Sequence, residues 1–248
     1  MEGVPLLEML SDAELDRVNR MLPWTCFTVD SKGRRLGVPF SATKRATEQV
    51  IPDQRLVDFH SYFDISKSSV LEVGCYEGVH TVGLCQTGAT VCAADGRIEN
   101  VIKTIARCML YGVFPDVIRL DVDSTIAVSK LQEFDFVHHI GVLYHLTDPA
   151  GSLSATLEKT KRAMLLDTHV VKPGEGTSSI NIGGVIFETA IYREGGISDP
   201  FSGLSAHSVW LSLDAILFIA ERSGFNPVRL DIREERNGRR VLVYLSKR

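Results

Sequence analysis

The chain has 248 residues, with 27 Lys plus Arg against 31 Asp plus Glu for a formal net charge of −4, and it is 44% hydrophobic and 23% charged. This apolar content supports one large domain, or a domain with an appendage, and excludes disordered, collagen-like and coiled-coil classes. The basic residues come in small groups, Lys32 to Arg35, Lys44-Arg45 and Arg239-Arg240, so a bulk electrostatic grip on nucleic acid is not expected.

In chain order, Met1 to Trp24 lacks a basic n-region and a long apolar stretch, and no window reaches ~18 apolar residues. No membrane association is expected, and the expected compartment is the cytoplasm. An N-cap signal at Ser11 and apolar spacing through Leu15, Val18, Met21 and Leu22 predict a helix over 11–22. Two β-like runs, Cys26 to Val29 and Leu36 to Phe40, flank a polar turn and predict a hairpin. Its basic tip, Lys32-Gly33-Arg34-Arg35, reads as solvated. A helical pattern surrounds Leu56, Phe59 and Phe63. Residues 1–66 form an N-terminal extension, too short to hold much of a core alone, that serves as acceptor cover or as a dimer contact.

From Ser69 the texture changes. Buried-strand runs at Val70 to Val73, Thr90 to Ala94, Asp116 to Leu120, Phe134 to His139 and Ala163 to Asp167 alternate with helical patterns. Those patterns cover Val79 to Cys85, Glu99 to Tyr111, Ser124 to Leu131 and Pro149 to Lys161. Such alternation implies βαβ units and a doubly wound, mostly parallel sheet. A Gly- and Ser-rich segment follows, then a helix over Leu211 to Ser223 and two strands, Pro227 to Ile232 and Arg240 to Leu245. The short turn between those strands makes the last one antiparallel. The five cysteines lack zinc-site spacing and read as reduced thiols.

Val70 to Gly78 carries the chemistry: a buried strand enters a turn with glycines at 74 and 78, and a helix follows. Such a turn lets a ligand approach the backbone and aims helix N-terminal amides at it, beyond the strand carboxyl ends. The dinucleotide pattern Gly-x-Gly-x-x-Gly is missing. Asp95 closes the second strand, where a carboxylate accepts from ribose hydroxyls, and Asp121 closes the third, within reach of an adenine amino group. His138 and His139 fall inside a buried strand and read as core.

Glu72-Val73-Gly74-Cys75-x-x-Gly78, Ala94-Asp95, Leu120-Asp121 and Phe134-Asp135-Phe136-Val137 together resemble the Rossmann-like (class I) S-adenosylmethionine-dependent methyltransferases over roughly residues 67–248. The resemblance implies a seven-stranded sheet with an antiparallel last strand, and S-adenosyl-L-methionine as cofactor. It implies cofactor contacts at Glu72, Gly74, Tyr76, Gly78, Asp95, Gly96, Asp121, Val122, Ile140 and Tyr144. Tyr76 stands where the family often has a third glycine, so the loop is bulkier and Tyr76 covers the methionine portion.

Ile140 to Pro149, with Trp210 to Ala215 and Glu221 to Phe225, is similar to the branch holding tRNA wobble-uridine carboxymethyltransferases and bacterial sugar and natural-product O-methyltransferases. A cation for carboxymethyl transfer and a basic face for tRNA are not evident, so a small-molecule or glycan hydroxyl is the expected acceptor. His145, just past the fourth strand, is the expected general base, and His169 the second candidate. Resemblance to metal-dependent sugar methyltransferases implies a divalent cation (Mg2+) on Asp167 and His169. Tyr144, Glu188, Tyr192 and Trp210 are expected to meet the acceptor, with residues 171–209 inserted as part of its pocket and Trp210 in the loop before a helix. Three alternatives stay open: a tRNA-modifying enzyme, a methyltransferase of a non-sugar small molecule, and a non-catalytic cofactor-binding module.

Overall fold

In the computed structural model, which describes residues 5–248, the chain opens with α1 (Leu6–Met9) and α2 (Asp12–Met21). The hairpin β1 (Phe27–Val29) and β2 (Arg35–Gly37) and the helix α3 (Gln54–Phe63) follow. An alternating series then runs β3 (Ser69–Val73), α4 (Val79–Gln86), β4 (Thr90–Asp95), α5 (Ile98–Leu110), β5 (Asp116–Arg119), α6 (Thr125–Ser129), β6 (Phe134–Ile140), α7 (Pro149–Glu158) and β7 (Thr160–His169). After it come β8 (Ser178–Ile182), β9 (Val185–Arg193), β10 (His207–Leu211), α8 (Leu213–Arg222), β11 (Phe225–Glu235) and β12 (Gly238–Lys247).

Seven strands form one sheet in the order β11-β12-β7-β6-β3-β4-β5. β3 pairs parallel with β6, β6 with β7, and β4 with β5, whereas β12 runs antiparallel to both β7 and β11. This is the α/β fold with an antiparallel last strand that the alternation implies. The central strands are nearly continuous buried runs, as a sheet covered on both faces requires. Gly74 and Gly141 continue β3 and β6 with positive φ, so the chain turns sharply as it leaves the sheet.

Several elements differ from the sequence expectation. α7 ends at Glu158 rather than Lys161, because Thr160 is fully buried and already belongs to β7. The last two strands reach Glu235 and Gly238, leaving a two-residue turn at Arg236-Asn237 before a positive-φ glycine. The segment after Lys172 is not structureless: β8, β9 and β10 form a three-stranded antiparallel sheet. Trp210 therefore sits within β10, paired with Ala190, and not in a loop.

The chain divides into two compact units, one of residues up to Lys67 with Cys75–Arg119, the other of Ser68–Gly74 with Leu120–Arg248. In the first, Leu7, Leu15, Trp24 and Leu36 of the N-terminal segment close on Leu110 of α5. Ser11 and Glu14 cap α2 reciprocally, as the Ser-x-x-Glu spacing predicts. The basic tip of the hairpin is not simply solvated: Arg34 donates to the carbonyls of Leu7 and Leu10, and Lys32 to that of Glu8. In the second unit, Phe136, Val137, Met164, Leu165, Leu166 and Val243 to Leu245 are buried on the sheet, and Leu153, Ile216 and Ile219 on its helices.

Candidate functional site

At Gly74, φ is +76° and an added Cβ would stand 2.2 Å from a methyl carbon of Val142, so only glycine fits. Gly78 caps α4 at φ +78°, with the backbone of Thr104 3.0 Å from where a Cβ would stand. No side chain caps α4 at its Gly78 N-cap. Tyr76 occupies the left-handed region at φ +53°, a conformation that costs a non-glycine residue free energy and needs support. Asp95 supplies it by accepting from the Tyr76 N–H at 2.9 Å. The same carboxylate accepts from the Arg97 N–H at 2.9 Å and Asn100 Nδ2 at 3.1 Å, while burial pushes its pKa up. Gly96 follows, its carbonyl accepting from Arg119.

Behind the loop lies a network that sequence reasoning missed. The Glu77 carboxylate is completely buried and accepts from the Thr25 N–H at 2.8 Å, Thr25 Oγ1 at 2.7 Å and Lys103 Nζ at 2.8 Å. Cys26 adds its N–H and thiol, both at 3.2 Å, and burial next to this carboxylate pushes the thiol up to about 12. Arg107, also fully buried, donates from Nε to the Glu77 carbonyl at 2.6 Å and from Nη1 to Thr28 Oγ1 at 2.8 Å. Its guanidinium lies 4.9 Å from the Trp24 ring centroid. The Tyr76 hydroxyl is hydrogen-bonded to Thr25 Oγ1, and burial raises its pKa. An acidic residue between Gly74 and Gly78, with Lys103 and Arg107 one turn apart on α5, is the signal that would have found this network.

In the second unit, Glu72 is buried opposite His138 in the β3–β6 ladder, and Ile140 ends β6. His138 and His139 are buried as expected, and burial lowers His139 to about 4, leaving it neutral. Asp121 is exposed and accepts from the Asp123 N–H, whereas Val122 is buried. Asp123, another residue the sequence did not single out, accepts from the Thr147 N–H at 2.8 Å, its hydroxyl at 2.9 Å and the Asp148 N–H at 2.9 Å. It pins the chain just after His145.

His145 Nδ1 lies 2.9 Å from Glu194 Oε1. Burial alone would raise the Glu194 carboxyl, but hydrogen bonds from His145, Ser208 and the Gly203 N–H outweigh it and hold the group at about 2. An ionised carboxylate only accepts, so Nδ1 is the donor in this contact, and in the neutral tautomer that donates from Nδ1 it is Nε2 that holds the lone pair. Glu194 lies 49 residues from His145 in sequence and no local motif marks it.

Around this pair the aromatic candidates converge. The Tyr144 ring lies 4.2 Å from His145, 4.7 Å from His169 and 5.8 Å from Trp210, centroid to centroid. His169 and Tyr192 both stack on Trp210, at 4.8 Å and 3.9 Å respectively. Trp210 is buried at 7% exposure and Tyr192 is open at 41%, so Tyr192 is the ring available to a ligand. Glu188, Ala190 and Tyr192 alternate along β9 and so share one sheet face. Glu188 accepts from the Gly174 N–H at 2.9 Å and is exposed.

The metal expectation fails on the donor set. Arg233 binds one oxygen of Asp167 at 2.7 Å and Arg240 binds the other, so both are committed to guanidinium groups. A divalent cation would have to displace those charges and sit among them. His169 is no better placed, since burial and Arg240 lower its pKa and its Nδ1 lies 3.3 Å from the Arg239 carbonyl. Asp167 and His169 do not fit a cation, and His169 serves as a neutral packing partner of Trp210.

Residues 46–230 match the family described as methyltransferase domain. The chain belongs to that family. Solved neighbours of the same fold carry S-adenosylmethionine or S-adenosylhomocysteine. The N-terminal domain of EvdMO1, crystallised in the presence of S-adenosylhomocysteine and D-fucose, is 22% identical with a TM-score of 0.74, covering 96% of this chain and 97% of that one. Magnesium protoporphyrin IX methyltransferase from Synechocystis PCC 6803 is 15% identical with a TM-score of 0.58, covering 79% and 81%. A third neighbour, Burkholderia thailandensis 1,6-didemethyltoxoflavin-N1-methyltransferase, is 13% identical with a TM-score of 0.54, covering 78% and 76%. No curated protein matches the chain by sequence. No described helix is long and apolar enough to cross a membrane.

Proposed function

We propose that the protein methylates a hydroxyl of a sugar, glycan or glycosylated metabolite, with His145 as general base and Glu194 as the residue that orients it. S-Adenosylmethionine supplies an electrophilic methyl group on a sulfonium. Gly74, Tyr76, Gly78, Asp95 and Gly96 hold the cofactor in this account, with Glu72, Asp121, Val122, Ile140 and Tyr144 as its further contacts. Asp95 has a double duty, since it also fastens the Tyr76 amide.

The observation that carries the proposal is the 2.9 Å His145–Glu194 pair. A sugar hydroxyl is a weak nucleophile and gains from losing its proton as the methyl group arrives. Nε2 of His145 takes that proton, and the Glu194 carboxylate fixes the tautomer and stabilises the imidazolium that forms. The open ring of Tyr192, backed by Trp210, offers a flat apolar surface to the C–H face of a pyranose. The EvdMO1 domain crystallised with D-fucose supports a sugar as acceptor class.

S-Adenosylhomocysteine release over a panel of free and glycosidic hexoses and 6-deoxyhexoses, D-fucose included, tests the proposal. The expected result is release on a sugar that disappears when one particular hydroxyl is blocked. Release only with phenolic or N-heterocyclic acceptors would overturn the acceptor class.

A further inference from the structure

α5 carries apolar side chains on its outer as well as its inner side, unlike an ordinary surface helix with a single inward stripe. Its buried side mixes Val101, Cys108 and Leu110 with Asn100, Lys103, Thr104 and Arg107. Its exposed side carries Ile98, Ile102, Ile105 and Met109, which are 47%, 47%, 50% and 48% exposed. The inner polarity has a clear cause. Lys103 and Arg107 hold Glu77, Thr104 donates to the Tyr76 carbonyl at 3.3 Å, and Asn100 donates to Asp95. The apolar outer row keeps about half of its surface open to water.

The row falls at i, i+4, i+7 and i+11, a spacing that reads the same from either end. Two such helices packed antiparallel about a twofold axis between Ile102 and Ile105 set Ile98 on the second copy's Met109, and Ile102 on its Ile105. Phe114, 83% exposed, lies just beyond the carboxyl end of the row. Together these five side chains present roughly 500 Å² to water, so pairing two copies covers on the order of 1,000 Å², near the lower limit for a specific interface. We infer that the outer face of α5 is the contact between two copies of this chain, in a twofold antiparallel helix pair that forms in the micromolar range. The inference is independent of the acceptor and of the role of His145.

Sedimentation velocity from low to several hundred micromolar tests it. The wild-type chain is expected to pass from one chain mass to two across that range. Ile102→Glu with Ile105→Glu, and separately Ile102→Lys with Ile105→Lys, should each stay monomeric with unchanged circular dichroism, and an equimolar mixture of the two should recover the dimer. Should a double variant fold poorly, Ile105→Ser serves in its place, with dimerisation weakened tenfold or more. A wild-type chain that stays monomeric throughout, because a different polypeptide covers this face, overturns the inference. So does a dimer that the charged variants leave intact.

Discussion

Two polar centres in this molecule are held in different ways. Around Glu77 the charges are sealed: Glu77 and Arg107 are fully buried, and Lys103 nearly so, with their hydrogen bonds supplied by Thr25, Cys26 and Thr28 of the N-terminal segment. Around His145 the pair is half-open, with side-chain exposures of 21% for His145 and 8% for Glu194. A sealed network that loses a partner strands a charge without water, and the cost appears in folding. An accessible imidazole held by one carboxylate can exchange protons with a ligand, and its loss appears in turnover. The first centre fixes the shape of the loop between Gly74 and Gly78. The second carries the chemistry in the account given above.

The largest expected effect breaks the sealed centre. Glu77→Gln leaves Lys103 and Arg107 without their carboxylate and should lower the unfolding free energy by about 3–5 kcal/mol, measured by urea denaturation. Gly74→Ala comes next, because its Cβ meets Val142 and its φ is positive. It should cost about 1–3 kcal/mol of stability and weaken S-adenosylhomocysteine binding tenfold or more by calorimetry. At the open centre, Tyr192→Ala should raise the acceptor KM by about 1 kcal/mol, or roughly fivefold, with cofactor affinity and melting temperature unchanged.

The smallest effect concerns pH. The Glu194 carboxyl is held at about 2 in the folded chain, below its ordinary value. Its contribution to stability is therefore complete above the ordinary carboxylate range and is lost as pH falls toward about 2. Glu194→Gln lacks that contribution, so its melting temperature should fall less steeply than that of the wild type over the same acid window. An identical slope would mean that the pair contributes nothing to folding.

The sequence carried most of the parallel core because its strands are buried runs bounded by turns and its helices follow 3.6-residue spacing. Gly74, Gly78 and Asp95 were legible for the same reason, since they mark where a strand must stop and a chain must turn. Residues 171–209 were not legible: β8 reads Ser-Ser-Ile-Asn-Ile and β9 exposes Ile186 and Ile191, so neither shows a clean buried face. Trp210 was misplaced with them. Glu77 and Glu194 escaped because a single glutamate has no pattern, and each finds its partners across long separations in sequence, from Thr25 to Glu77 and from His145 to Glu194. Asp167 misled in the opposite sense, since only the fold reveals that Arg233 and Arg240 already claim it.

The measurement that bears most directly on the central claim is single-turnover methyl transfer by His145→Ala, paired with calorimetry of S-adenosylhomocysteine. The expected rate is reduced ~10²-fold or more, with cofactor affinity within about twofold of the wild type. A variant that transfers methyl at the wild-type rate would contradict it.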